Sequence, residues 1–192
     1  RAGRRRAEPD QGPGVAIWNG QIYVALNNGH IYRASIACNG ALGDWQAEAT
    51  AAPYSGGRMS LEAYNGFLYV LGGCSYPGFH ADVFVAPINP GGSVGSWIQT
   101  TAMPEARQHQ SVHFFGDRVY IVGGITSGLN ILQTCYSASV NPDGMIGAWR
   151  QEASWLSGGS DANATVGFTD FAAMAGRWLE GSVPVIYVQW LG

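Results

Sequence analysis

Short apolar runs recur along the chain, each introduced by a turn dipeptide: Ile22 to Leu26 after Asn19-Gly20, Phe67 to Leu71 after Asn65-Gly66, and Val119 to Val122 after Gly116-Asp117. Asn-Gly supplies the two positive-φ residues of a type I′ turn, whose twist matches that of antiparallel strands, so each dipeptide predicts a hairpin. The double glycines Gly72-Gly73 and Gly123-Gly124 end the second strand, where a side chain would block a close neighbour. One copy reads as strand Ser111–Phe115, tight turn, strand Arg118–Val122, longer loop, strand Gln133–Val140, glycine turn, strand Trp149–Ala153. That is a four-stranded antiparallel meander.

The same unit occurs three times. Trp45, Trp97 and Trp149 are spaced by 52 and 52 residues, and each closes a Gly-x-x-Gly-x-Trp pattern begun by Gly40, Gly92 and Gly144. A period of about 50 residues built of strands excludes helical solenoids. The series Pro104, Arg107, Ser111, Gly116-Asp117, Tyr120, Gly123-Gly124 and Trp149 resembles a kelch repeat. Arg58, Asn65-Gly66, Tyr69, Gly72-Gly73 and Trp97 resemble a second. The first copy departs from the pattern, with Leu26 where the others have Gly and Asn27-Asn28-Gly29 in place of the long loop. The resemblance implies an all-β fold of three kelch-type β-propeller blades, at residues 14–50, 57–102 and 108–154, behind a basic arm at 1–13. Propellers close with about four to eight blades, so three leave an apolar sheet face at each end of an arc. Either a homodimer or a longer propeller, of which this chain is a fragment, would cover those faces.

The pattern changes after Trp155. Ser157-Gly158-Gly159-Ser160 reads as a linker within 155–192, and Phe171, Met174, Ala175, Trp178 and Leu179 form the apolar stripe of one short helix. Asp161 to Leu179 is similar to half of a dockerin-type calcium repeat, but the Asp-Gly expected after Ala164 is missing. The shortened loop loses a carboxylate and its sharp turn, which leaves at most residual calcium affinity at Asp161, Asn163 and Asp170. No other cofactor is implied. Val183 to Trp190 reads as a terminal strand suited to an open sheet edge. The dockerin likeness favours an extracellular or periplasmic setting.

Composition narrows the function. Only 12% of residues are charged, and the ten basic residues, all Arg, face thirteen acids. Arg1, Arg4, Arg5 and Arg6 sit in the arm, so residues 7–192 carry six Arg against thirteen acids, a charge of −7. Nucleic acid demands a basic face, and this chain has none. The arm runs from Arg into Glu8, Pro9 and Asp10 and lacks the apolar core of a signal peptide. Val183 to Leu191, broken by Pro184 and Gln189, is too short for a membrane span. Cys38, Cys74 and Cys135 have neither CxxC spacing nor an even count, and read as small buried thiols.

Candidate chemistry is sparse. His109 and His113, four apart on a segment read as strand, would share a face, but a metal needs a third ligand, and no Asp or Cys is placed to supply it. Some kelch propellers resemble galactose oxidase, with a Cys–Tyr crosslink, yet adjacent Cys135 and Tyr136 would point to opposite faces. Others resemble sialic-acid isomerases, whose active residues match no motif here. Arg58 and Arg107 occupy what reads as one repeat position near the inner strand, and Tyr76, Phe79 and His80 lie on a long loop of the kind that carries recognition. These five residues with His109 are the binding candidates, and no catalytic or metal residue is assigned. The reading is a non-catalytic binding or scaffold module for a protein surface or glycan. The alternatives are a carbohydrate-active enzyme whose site needs further blades or a second subunit, and an assembly protein acting through open propeller edges.

Overall fold

A computed structural model describes residues 12–75, 78–128 and 130–154. The helix expected at 171–179, the calcium-loop residues, the terminal strand, Tyr76 and nearly all of the basic arm lie outside these. The chain divides into two units, 1–152 and 153–192, and the description that follows concerns the first.

The first unit is all-β. Strands β1 (Gly14–Trp18), β2 (Gln21–Ala25), β3 (Ile31–Ser35) and β4 (Gln46–Ala47) form the first antiparallel sheet, in chain order. β5 (Ser60–Tyr64) and β6 (Phe67–Leu71) are followed by a small hairpin of β7 (Cys74–Ser75) and β8 (Gly78–Phe79). The second sheet is then completed by β9 (Val83–Pro87) and β10 (Ile98–Gln99). β11 (Ser111–Phe115), β12 (Arg118–Val122), β13 (Cys135–Ser139) and β14 (Arg150–Glu152) make the third. β11 and β12 have the predicted bounds, while β13 and β14 are shorter than the expected Gln133–Val140 and Trp149–Ala153.

Turn chemistry sets these registers. Asn19 and Gly20 have φ of 44° and 73°, Asn65 and Gly66 49° and 82°, the pair of left-handed residues a type I′ turn requires. At Gly116-Asp117 only the glycine is left-handed, the pattern of a type II′ turn. The pairing Trp18↔Gln21, Tyr64↔Phe67 and Phe115↔Arg118 flanks the three turns and makes these residues repeat equivalents. Further out, Ile36↔Leu42, Ile88↔Val94 and Val140↔Ile146 are the same bridge in three copies.

Period-2 alternation in β6 divides the core. Leu68 and Val70 enter one apolar cluster with Ala16, Tyr23 and Ile31 of the first sheet. Tyr69 and Leu71, pointing the other way, enter a second with Val112, Val119 and Ile121 of the third. The second sheet is therefore buried on both faces and the outer sheets on one.

Meander topology puts the turns β1–β2, β5–β6 and β11–β12 at one end of the sheets, together with the connections after β3, β9 and β13. At the opposite end lie the links into each first strand and the long loops 72–82 and 123–134. In the first sheet that long loop is replaced by a tight turn in which Leu26 N–H donates to the His30 carbonyl at 2.9 Å.

Candidate functional site

At the long-loop end the sequence candidates separate into three environments. Arg107 has no solvent exposure. Its guanidinium donates to the Gly123 carbonyl at 2.9 Å, to Glu105 at 2.7 Å and to Thr134 Oγ1 at 3.1 Å, and lies 5.2 Å from the centre of the Tyr136 ring. Burial lowers its pKa, and the Glu105 carboxylate acts in the opposite direction. Arg107 thus ties the loop before β11 to its own sheet.

The register also corrects the pairing of the two arginines. The bridges Gly57↔Cys74 and Gln108↔Ile125 are equivalent, so Arg58 corresponds to His109, while Arg107 corresponds to Gly56. Arg58 and His109 are both left-handed, with φ of 59° and 57°. Arg58 N–H points to the Gly12 carbonyl at 3.3 Å and His109 N–H to the Arg58 carbonyl at 3.5 Å, a chain of contacts across the entries to all three sheets. Arg58 Nη1 also reaches Gln108 Oε1 at 3.3 Å. Because β11 begins at Ser111, His109 lies outside the strand, and the shared face expected for His109 and His113 does not form.

His80 has a fixed setting. Its ring stacks on Tyr54 with centroids 4.2 Å apart, Nε2 meets Ser75 Oγ at 2.7 Å, and Nδ1 lies 3.5 Å from Asp82. Tyr54 donates its hydroxyl to the Gly72 carbonyl, and burial raises its pKa. Serine, histidine and aspartate follow the order of a nucleophile relay, but 3.5 Å exceeds the range in which an orienting carboxylate holds an imidazole. What the geometry supports is a brace across the β7–β8 hairpin. Phe79 on β8 is half-buried beside it. Of the cysteines, Cys38 is exposed and Cys74 and Cys135 are only half-buried, so the expectation of three buried thiols does not hold. Burial raises the Cys135 thiol.

The opposite end holds a cleft that sequence reasoning missed. Trp18, Asn19, Gln21 and Tyr23 of the first sheet face Ile88–Gly92 of the second around a cavity of about 180 Å³. The Tyr23 hydroxyl donates to the Gly92 carbonyl at 2.7 Å and Arg33 Nη1 to the Gly91 carbonyl at 3.2 Å, which pins the loop that forms one wall. Arg33 is itself held by Glu48 at 2.5 Å. Among the described residues Gln21 Oε1 is buried with no hydrogen-bond partner. A buried amide oxygen without a partner forfeits about 1–3 kcal/mol, a deficit that rotation of the amide toward a donor in the cleft would remove.

The cleft has a local cause. In the next seam the residue equivalent to Gln21 is Phe67, whose ring lies where a β-carbon on Gly144 would come within 2.8–2.9 Å of it. Phe67 fills that seam. Gln21, shorter and polar, leaves its own open. The signal available in the sequence was the series Gln21, Phe67, Arg118 immediately after each turn, one position with three different chemistries in an otherwise regular repeat.

No family model and no curated protein matches the chain. Among solved structures 163 chains match, so the architecture is shared too widely to single out an activity. One match is the structure of YjhT, with a TM-score of 0.61, 16% sequence identity, and coverage of 77% of this chain and 53% of that one. The chain therefore spans about half the length of this neighbour. At such identity the likeness concerns fold alone: the protein shares a β-rich architecture of antiparallel sheets with YjhT.

Proposed function

We propose that the protein is a non-catalytic binding module of kelch-type propeller blades that receives one sugar ring in the cleft between its first and second sheets. The observation that carries this reading is the buried, unpartnered Gln21 amide oxygen beside Trp18. Sugars present apolar C–H faces that pack on aromatic rings and hydroxyls that pair with amides, and Trp18, Gln21, Asn19 and Asn89 offer both kinds of contact. At about 180 Å³ the cavity is smaller than the roughly 300–1,000 Å³ of drug-sized sites, which suits a single ring of a glycan over an extended chain. An extracellular or periplasmic setting accords with a glycan ligand.

The test is a glycan array probed with the full chain, followed by titration of the best glycan into Gln21→Phe. That variant imports the ring that closes the equivalent seam, so its melting temperature should stay at or above that of the parent while affinity falls by about tenfold or more. An array on which no glycan is bound, or undiminished binding by a folded Gln21→Phe, would overturn the assignment.

A further inference from the structure

The two seams inside the protein obey one contact rule, and each outer sheet presents half of it. At the first seam Glu48 Oε2 accepts the backbone N–H of Val94 at 2.9 Å. At the second, Thr100 Oγ1 accepts the backbone N–H of Ile146 at 2.8 Å. Glu48 and Thr100 are equivalent, since their own N–H groups donate to the carbonyls of Ile31 and Val83, the first residues of β3 and β9. Val94 and Ile146 are equivalent through their bridges, and both are buried. The rule seats the outer loop of each sheet on the outer strand of the sheet before it.

Continued past the third sheet, the acceptor is Glu152, paired in register with Cys135, the first residue of β13. Its carboxylate meets Ser137 and Arg150 within its own sheet. Continued before the first sheet, the donor is Leu42 N–H, in a loop where Leu42 and Trp45 are 49% and 48% exposed. The apolar residues follow the same pattern. Val15 and Ile17, 48% and 60% exposed, sit where Leu61 and Ala63 pack inside the first seam. Across the gap Tyr120 stands at the position of Tyr23 and Tyr69, both fully buried, and Phe115 is 79% exposed.

We infer that these two faces belong to one another, and that a second copy of this chain seats its first sheet on the third sheet of its partner. Two such contacts close the pair head to tail in a ring of six sheets. Leu42 N–H of each copy then meets Glu152 of the other. A second copy is the occupant because it carries both halves of the rule, the Leu42 donor loop on its first sheet and the Glu152 acceptor on its third. A head-to-tail contact forms a closed ring if its rotation closes and a filament otherwise. The inference is independent of the sugar cleft, which lies within one chain.

The experiment is light scattering on a size-exclusion column with the full chain over a hundredfold range of concentration. The expected mass is about 41 kDa, twice the 20.4 kDa of one chain. Leu42→Asp and Glu152→Arg should each give 20.4 kDa monomers with parental circular dichroism. Mixing the two should restore the dimer, because one contact is then unaltered and the other pairs Asp with Arg. Monomer at every concentration, as expected if other residues of the chain or further blades cover the faces, would overturn the proposal. So would a ladder of larger polymers, or a dimer that survives both substitutions.

Discussion

Glu62 lies in β5 at the repeat position of Ala16 and His113, facing the seam with the third sheet. Its pKa is raised to about 7, from 4.5, by burial of the carboxyl among apolar neighbours. The folded state therefore holds a proton that the unfolded chain releases above about pH 4.5. Between that value and about 7 the native state binds more protons than the unfolded one, so stability falls as pH rises, and levels off above 7. Urea titrations at pH 5, 6 and 8 should show the decline, and Glu62→Gln should remove most of it. An unchanged profile in the variant would place the titration on another group. Residue order alone could not foretell this, since nothing in a lone Glu within an apolar strand indicates whether its carboxyl is hydrated. Arg107 was opaque for the same reason, since its burial is decided by partners such as Gly123 and Thr134 beyond its own loop.

At the scale of elements far more was legible. Hairpins follow from local chemistry, because the turn dipeptides dictate φ and the apolar runs flank them directly, and so β11 and β12 could be bounded from residues alone. Long loops carry no such code. The β7–β8 hairpin, with its Tyr54–His80 stack and Ser75 contact, depends on contacts that neither periodicity nor composition encodes. The double glycine was legible as a close approach, and Gly73 shows why it is needed. Its φ is 96°, and a β-carbon there would lie 2.9 Å from the Gly57 carbonyl and from the Met59 backbone. Those obstacles are main chain of the strand entry and cannot rotate away. Gly73→Ala should therefore lower unfolding free energy by about 2–4 kcal/mol, read from the midpoint of denaturant unfolding at unchanged slope. A loss below about 0.5 kcal/mol would mean that the entry to β5 moves freely.

For the whole molecule, repetition was readable from three tryptophans, but their environments were not. Trp149 Nε1 donates to the Thr101 carbonyl at 3.1 Å, Trp97 packs against the first cluster, and Trp45 is half-exposed. Identical motifs differ because each depends on the sheet before it. If a second copy supplies the missing sheet for Trp45, thermal unfolding becomes a bimolecular equilibrium. The melting temperature should then rise steadily with protein concentration, and do so no longer in Leu42→Asp. A midpoint independent of concentration in the parent would count against assembly as a source of stability.

The bond from Tyr23 to Gly92 spans 69 residues, whereas every pairing within the first sheet is short-range. On a ribosome adding about 5–20 residues per second, the first sheet, finished at Ala47, can be complete roughly 2 to 9 s before Gly92 emerges to receive the Tyr23 hydroxyl. Throughout that interval the surface built by Ala16, Tyr23, Ala25 and Ile31 is wet. Each later sheet inherits the same wait for its successor, so the nascent chain always ends in one uncovered apolar layer. Synthesis pauses just after residue 50 or 102 would prolong its most aggregation-prone states, and chaperone contact should concentrate there.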